Sequence, residues 1–164
     1  MSFNILILCT GNSARSVMAE AILNRRGEGR IQAYSAGSKP VGEINPVGAK
    51  LLASKGYDAA EFRSKSWDEF SGPDAPQMDA VITVCDNAAG ETCPLWPGTP
   101  VRTHWGFPDP AAVTGSEDKK LMAFDEIYTA IDAYMEKFLK LPIETMDANA
   151  LKAAMQAIDD EAQE

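Results

Sequence analysis

An apolar, strand-like run from Phe3 to Leu8 feeds directly into Cys9-Thr10-Gly11-Asn12-Ser13-Ala14-Arg15-Ser16, and the residues from Ser16 to Asn24 read as a helix. Strand, short arc and helix in immediate succession are the opening of an α/β unit, and few other folds accommodate them. The arc is Cys-x5-Arg followed by Ser. A thiolate near neutral pH needs positive charge and hydrogen-bond donors close by. Backbone N–H groups of such an arc form an anion nest, and a helix N-terminus adds partial positive charge. Arg15 offers a planar fork matched to a tetrahedral oxyanion. Gly11 supplies conformational freedom. Residues Thr10 to Ser16 therefore form a candidate oxyanion-binding loop beside a candidate nucleophile, Cys9. A buried Cys near an unrelated surface Arg would give the same spacing, and the strand–helix context argues against that alternative.

The rest of the chain repeats the α/β alternation. Gly27 and Gly29 stop the first helix. Ile31 to Ser35 is a second strand, ended by Gly37 and Pro40. Asn45-Pro46 is an N-cap with Pro at the first helical position, and that helix runs through Leu51 and Leu52 to Gly56. Glu61 to Gln77 is mixed, with a short helical stretch near Trp67 to Phe70. Ala80 to Val84 is a third strand, Asp86 to Gly98 a loop, Val101 to His104 a fourth strand and Gly106 to Thr114 a second loop. Ser116 opens a long helix to about Leu139, with Leu121, Phe124, Ile127, Tyr128, Ile131 and Met135 on one face. Pro142 ends it. Asp147 caps a further helix striped with Leu151, Met155 and Ile158. This order predicts a parallel sheet in one main domain, residues 1–141, followed by an acidic helical extension, residues 142–164.

Sites in open parallel sheets form at the carboxyl ends of strands. Cys9 follows the first strand, Cys85 the third and Asp109 the fourth. Asp109 lies in the stiff run Phe107-Pro108-Asp109-Pro110 and could protonate a leaving oxygen there; an ordinary turn is the alternative. Cys93 follows Cys85 closely enough for a disulfide, provided the Cα atoms approach within about 5.5–6 Å. Two small buried side chains are the alternative to redox exchange. Asn12 and Ser16 suit both loop support and capping. His104 with Trp105 reads as structural.

Composition excludes several classes. A net charge of −9 over 164 residues argues against nucleic acid or an anionic membrane as partner. It does not argue against an oxyanion, which a local nest can hold at contact distance. No apolar run reaches membrane-spanning length and the N-terminus has no signal-peptide pattern, so a cytoplasmic protein is expected. Three cysteines in such a chain suggest thiol chemistry or burial rather than structural disulfides. One histidine and no short ligand spacing predict no metal site.

The loop Cys9–Ser16 together with Met18-Ala19-Glu20-Ala21, Tyr34-Ser35-Ala36-Gly37, Val84-Cys85-Asp86-Asn87, Cys93-Pro94 and His104-Trp105-Gly106-Phe107-Pro108-Asp109-Pro110 resembles the thioredoxin-coupled arsenate reductases built on the low-molecular-weight tyrosine phosphatase fold. The resemblance covers roughly residues 3 to 140. It implies a three-layer, doubly wound sheet of four parallel strands. It implies reduction of arsenate to arsenite by a relay in which Cys9, Cys85 and Cys93 form transient Cys9–Cys85 and Cys85–Cys93 disulfides. Arg15 and the loop would bind arsenate, or the related phosphate and sulfate, and Asp109 would act as acid. It implies no bound cofactor, with electrons from thioredoxin or from glutathione and glutaredoxin, and a monomer or weak homodimer. Phosphatases of this fold share the loop and an Asp-Pro but carry aromatic residues where this chain has Ala111-Ala112, and they lack the paired later cysteines. Aryl phosphate hydrolysis through a Cys9 phospho-enzyme is the alternative activity. Some relatives hold potassium through residues matching Asn12, Glu20, Ser35 and an Asp. Ser66 stands at the last position here, which argues against potassium dependence.

Overall fold

The computed structural model describes residues 3–85 and 100–163. Four parallel strands, β1 (Phe3–Cys9), β2 (Ile31–Gly37), β3 (Ala80–Thr83) and β4 (Val101–His104), form one sheet in the order β2-β1-β3-β4. The helices are α1 (Arg15–Gly27), α2 (Pro46–Ser54), α3 (Glu117–Leu139) and α4 (Ala148–Ala162). Short 3-10 turns at Ala59–Glu61, Trp67–Phe70 and Pro110–Ala112 complete the described elements. The parallel sheet expected from the alternation is present, in the fold that the resemblance implies. The sequence boundaries differ mainly at β2, which runs two residues past Ser35 because Ala36 and Gly37 pair with Leu8 and Cys9. The expected loop Asp86–Gly98 lies outside the described residues.

The strand β1 is central and buried on both faces, as its unbroken apolar run requires. Ile5 and Ile7 face the larger core, made with α1 to α4; Leu6 and Leu8 face a smaller cluster with Ala36, Phe70, Met78 and Val81. All four are wholly buried, and each is worth about 1.5–3 kcal/mol relative to exposure. The long helix α3 packs across α1 and α2. Residues 142–163 join the same core: Ile143, Leu151, Met155 and Ile158 are buried in it, and the Trp105 indole N–H donates to the Met155 carbonyl at 3.0 Å. Among the described residues no helix is long and apolar enough to cross a membrane.

The parallel register carries the carboxyl ends of β1, β3 and β4 to one edge. Leu8 pairs with Thr83, and Thr83 with His104. Residues that follow these three strands therefore meet, although they are distant in sequence.

Candidate active site

Three of the helices start on a side-chain cap: Asn45 for α2, Ser116 for α3 and Asp147 for α4. The first helix starts on Ala14, with no side-chain cap bond. Its first-turn amides are thus left to whatever occupies the loop, which is the arrangement an anion exploits.

The loop is tied outward by its carbonyls. The Thr10 carbonyl accepts from the Lys39 N–H (3.0 Å), that of Gly11 from the Val41 N–H (3.1 Å) and the Ser64 hydroxyl (2.9 Å), and that of Ser13 from the Asn45 N–H (2.8 Å). Because a trans peptide sets C=O and N–H on opposite sides, the N–H groups of Gly11, Asn12 and Ala14 point away from those flanking segments. That is the geometry an anion nest requires. Asn12 turns the chain in the left-handed region, φ 47°, which Asn tolerates better than most residues. Its amide is wholly buried and donates to the Ser16 hydroxyl (2.8 Å) and the Ser35 hydroxyl (3.0 Å), while its carbonyl oxygen accepts from the Lys65 N–H (2.9 Å). Gly37 closes against this loop. A Cβ there would sit 2.4 Å from the Thr10 carbonyl oxygen and 2.9 Å from that of Cys9.

Cys9 and Cys85 are both buried, and their side chains are hydrogen-bonded to each other. The Thr10 N–H points at the Cys85 sulfur, 3.3 Å away. That hydrogen bond from Cys85, with burial, pushes the Cys9 thiol up; Arg15 and the Thr10 N–H pull it down. Two sulfurs in contact cannot both be anionic, so the pair holds at most one negative charge.

Arg15 donates to the Phe107 carbonyl at 2.9 Å, and its other terminal nitrogen lies 3.9 Å from the Asp109 carboxylate. The Arg15 side chain is 15 % exposed and that of Asp109 46 %. Asp109 accepts from the Ala111 N–H at 3.0 Å and so caps the turn Pro110–Ala112. His104 is bound to the Thr83 hydroxyl at 2.7 Å. The structure thus brings together Cys9, the loop Thr10–Ser16, Cys85, Arg15 and Asp109. Cys93 lies outside the described residues.

Sequence reading missed Ser64 and the Phe107 carbonyl, which hold the loop and Arg15. It also missed Lys65. The Lys65 ammonium lies 3.8 Å from the Glu20 carboxylate and 3.2 Å from the Arg63 carbonyl, and these two side chains are 8 % and 13 % exposed. Glu20 accepts in addition from Ser35, through its hydroxyl and its N–H. Burial pushes the Glu20 carboxyl up, opposed by Lys65 and Ser35, and pushes Lys65 down, opposed by Glu20. Ser66, at the fourth position of the resemblance's potassium set, accepts from the Asp68 N–H at 3.1 Å. With the Asn12 and Ser66 oxygens engaged and an ammonium already facing Glu20, this donor set does not fit a bound potassium ion. Among the described residues no cluster of three or more His, Cys, Asp or Glu could hold a metal.

The family model for low molecular weight phosphotyrosine protein phosphatases matches residues 4–156. An arsenate reductase of Bacillus licheniformis is 38 % identical over 135 residues, covering 82 % of this chain and 93 % of the relative. The crystal structure of an arsenate reductase from Archaeoglobus fulgidus superposes with a TM-score of 0.60 at 27 % identity, over 80 % of this chain and 98 % of that one. A thioredoxin-dependent arsenate reductase of Corynebacterium glutamicum shares the fold, with a TM-score of 0.55 at 24 % identity, over 79 % of this chain and 58 % of that one. A loop and sheet edge of this kind, matched along nearly the whole chain, place the protein in the low molecular weight phosphotyrosine protein phosphatase family, beside its arsenate reductases.

Proposed function

We propose that this protein reduces arsenate to arsenite by a three-cysteine relay recycled by thioredoxin. The observation that carries the reading is the contact between the Cys9 and Cys85 thiols at the mouth of the anion loop. Arsenate seats in the loop against Arg15. The Cys9 thiolate attacks arsenic, and Asp109 gives its proton to the departing hydroxyl, which leaves as water. The Cys85 thiolate, aligned by the Thr10 N–H, then attacks the Cys9 sulfur. The Cys9–Cys85 bond forms, the S–As bond breaks, and its electron pair stays on arsenic as arsenite leaves. Cys93 attacks Cys85, freeing Cys9 and leaving a Cys85–Cys93 disulfide. A thioredoxin dithiol reduces that bond. The arsenate reductase relatives and the thioredoxin-dependent Corynebacterium enzyme of the same fold support this assignment.

The second reading, hydrolysis of aryl phosphates through a Cys9 phospho-enzyme, is favoured by the family itself, since Cys9, Arg15 and Asp109 serve it equally well. It gives Cys85 no task. Arsenate-dependent NADPH oxidation with thioredoxin and thioredoxin reductase, beside a parallel glutathione and glutaredoxin assay, separates the readings. Turnover with thioredoxin is expected, and Cys9→Ser is expected to abolish it. Turnover only with glutaredoxin would reassign the last step. Silence in both, with aryl phosphate hydrolysis intact, would give the chain to the second reading.

A further inference from the structure

Lys65 is the one buried charged residue among the described residues, and it belongs to a circuit of polar contacts that reaches the oxyanion loop through Asn12. Its N–H donates to the Asn12 side-chain oxygen at 2.9 Å. Asn12 donates to the Ser35 hydroxyl at 3.0 Å, and Ser35 donates to the Glu20 carboxylate. Glu20 faces the Lys65 ammonium, which returns the circuit to its start. The Lys65 carbonyl also accepts from the Gly37 N–H at 2.9 Å, where Gly37 approaches the backbone of Cys9 and Thr10 closely.

A carboxylate and a backbone carbonyl around one positive charge are the hard oxygen donors a small cation would take. Here the cation is covalently tethered. We propose that Lys65 is the internal cation of this site: a positioning residue whose ammonium neutralises Glu20 and, through Ser35 and Asn12, sets the loop, so that no added monovalent cation is required. The reason is electrostatic. A buried carboxylate without a partner either takes a proton or recruits a counter-ion. In either case Ser35 would reorient, and the Asn12 amide would lose a buried acceptor. The inference rests on the reading of residues 9–16 as an oxyanion loop and is independent of how electrons leave the protein.

The test compares the unmodified chain with Lys65→Ala and Lys65→Met. Thermal midpoint and inorganic phosphate affinity by calorimetry are measured in potassium chloride and in tetramethylammonium chloride at equal ionic strength. The unmodified chain is expected to give the same midpoint and affinity in both salts. Lys65→Ala opens space beside Glu20 and should bind phosphate about tenfold more weakly, the size of one lost charged hydrogen bond. Potassium, but not tetramethylammonium, should restore much of that loss. Lys65→Met keeps the stem without the charge and should lose affinity with no recovery in potassium. A midpoint of the unmodified chain that rises with potassium would overturn the proposal, and so would wild-type phosphate affinity in Lys65→Met. Should Lys65→Ala fail to fold, the other two proteins still decide it. Failure of the unmodified chain to bind phosphate counts against the oxyanion reading, while the salt dependence of its midpoint continues to test Lys65.

Discussion

The two walls of the site are held in opposite ways. The wall made by Cys9–Ser16 is fastened from beneath by short, buried bonds: Asn12, Ser16 and Ser35 are wholly buried and bonded to one another. The wall made by residues 104–110 carries the half-exposed Asp109, 3.9 Å from Arg15, and is propped from the side. Phe107 stacks edge-on against Tyr134 with ring centres 4.9 Å apart, Trp105 does so at 5.3 Å, and Tyr134 donates to Asp159 of α4 at 2.7 Å. The C-terminal helix thus braces the second wall. In the proposed reaction the first wall would hold the oxyanion and the second would deliver the proton.

The sharpest way to break this division is at the acid. Asp109→Asn keeps the size of the side chain and an acceptor for the Ala111 N–H, but it cannot donate the proton. Single-turnover arsenate consumption should slow by roughly 10²–10⁴-fold, while phosphate affinity stays near that of the unmodified chain. An unchanged single-turnover rate would remove Asp109 from the chemistry.

Gly37→Ala attacks the other wall. Its Cβ would fall on the backbone oxygens of Thr10 and Cys9, which cannot move without moving the loop. A loss of about 1–3 kcal/mol in stability is expected from such overpacking, read from denaturant midpoints. Phosphate affinity and rate should fall together, unlike the effect at Asp109. A variant with normal affinity would mean the first wall is softer than its bonding implies.

Much of this was legible in sequence, and the reason is local. The strand-to-helix arc, the Asn45-Pro46, Ser116 and Asp147 caps and the stripes of α3 and α4 are short-range signals, and the structure has them where the residues set them. The convergence of Cys9, Cys85 and Asp109 followed from one topological rule about strand ends. Lys65 was illegible because its role depends on the bridge between Gly37 and Ser66. That pairing lays an irregular segment against β2, and nothing periodic in Glu61–Gln77 announces it. Likewise the support of Arg15 by a backbone carbonyl at Phe107 has no side-chain signature.

The smallest expected effect tests the propping of the second wall. Tyr134→Phe preserves the ring stack and deletes the bond to Asp159 together with the longer one accepted from the Gln163 amide at 3.4 Å, a loss of about 1 kcal/mol. Its pH signature is more telling than its size. Burial, then the Asp159 hydrogen bond, pushes the Tyr134 phenol from its usual 10.0 up to about 12. Between those values the folded chain keeps a proton that the unfolded chain has released, so stability falls as pH rises through that window and is fully present below it. Tyr57 and Tyr34 are pushed the same way, so the alkaline decline persists in the variant but with a shallower slope. If Tyr134 transmits the position of α4 to Phe107, the variant should also lose rate modestly at neutral pH with phosphate affinity unchanged. A variant with the shallower alkaline slope but an unchanged rate would show that α4 stabilises the fold without steering the acid.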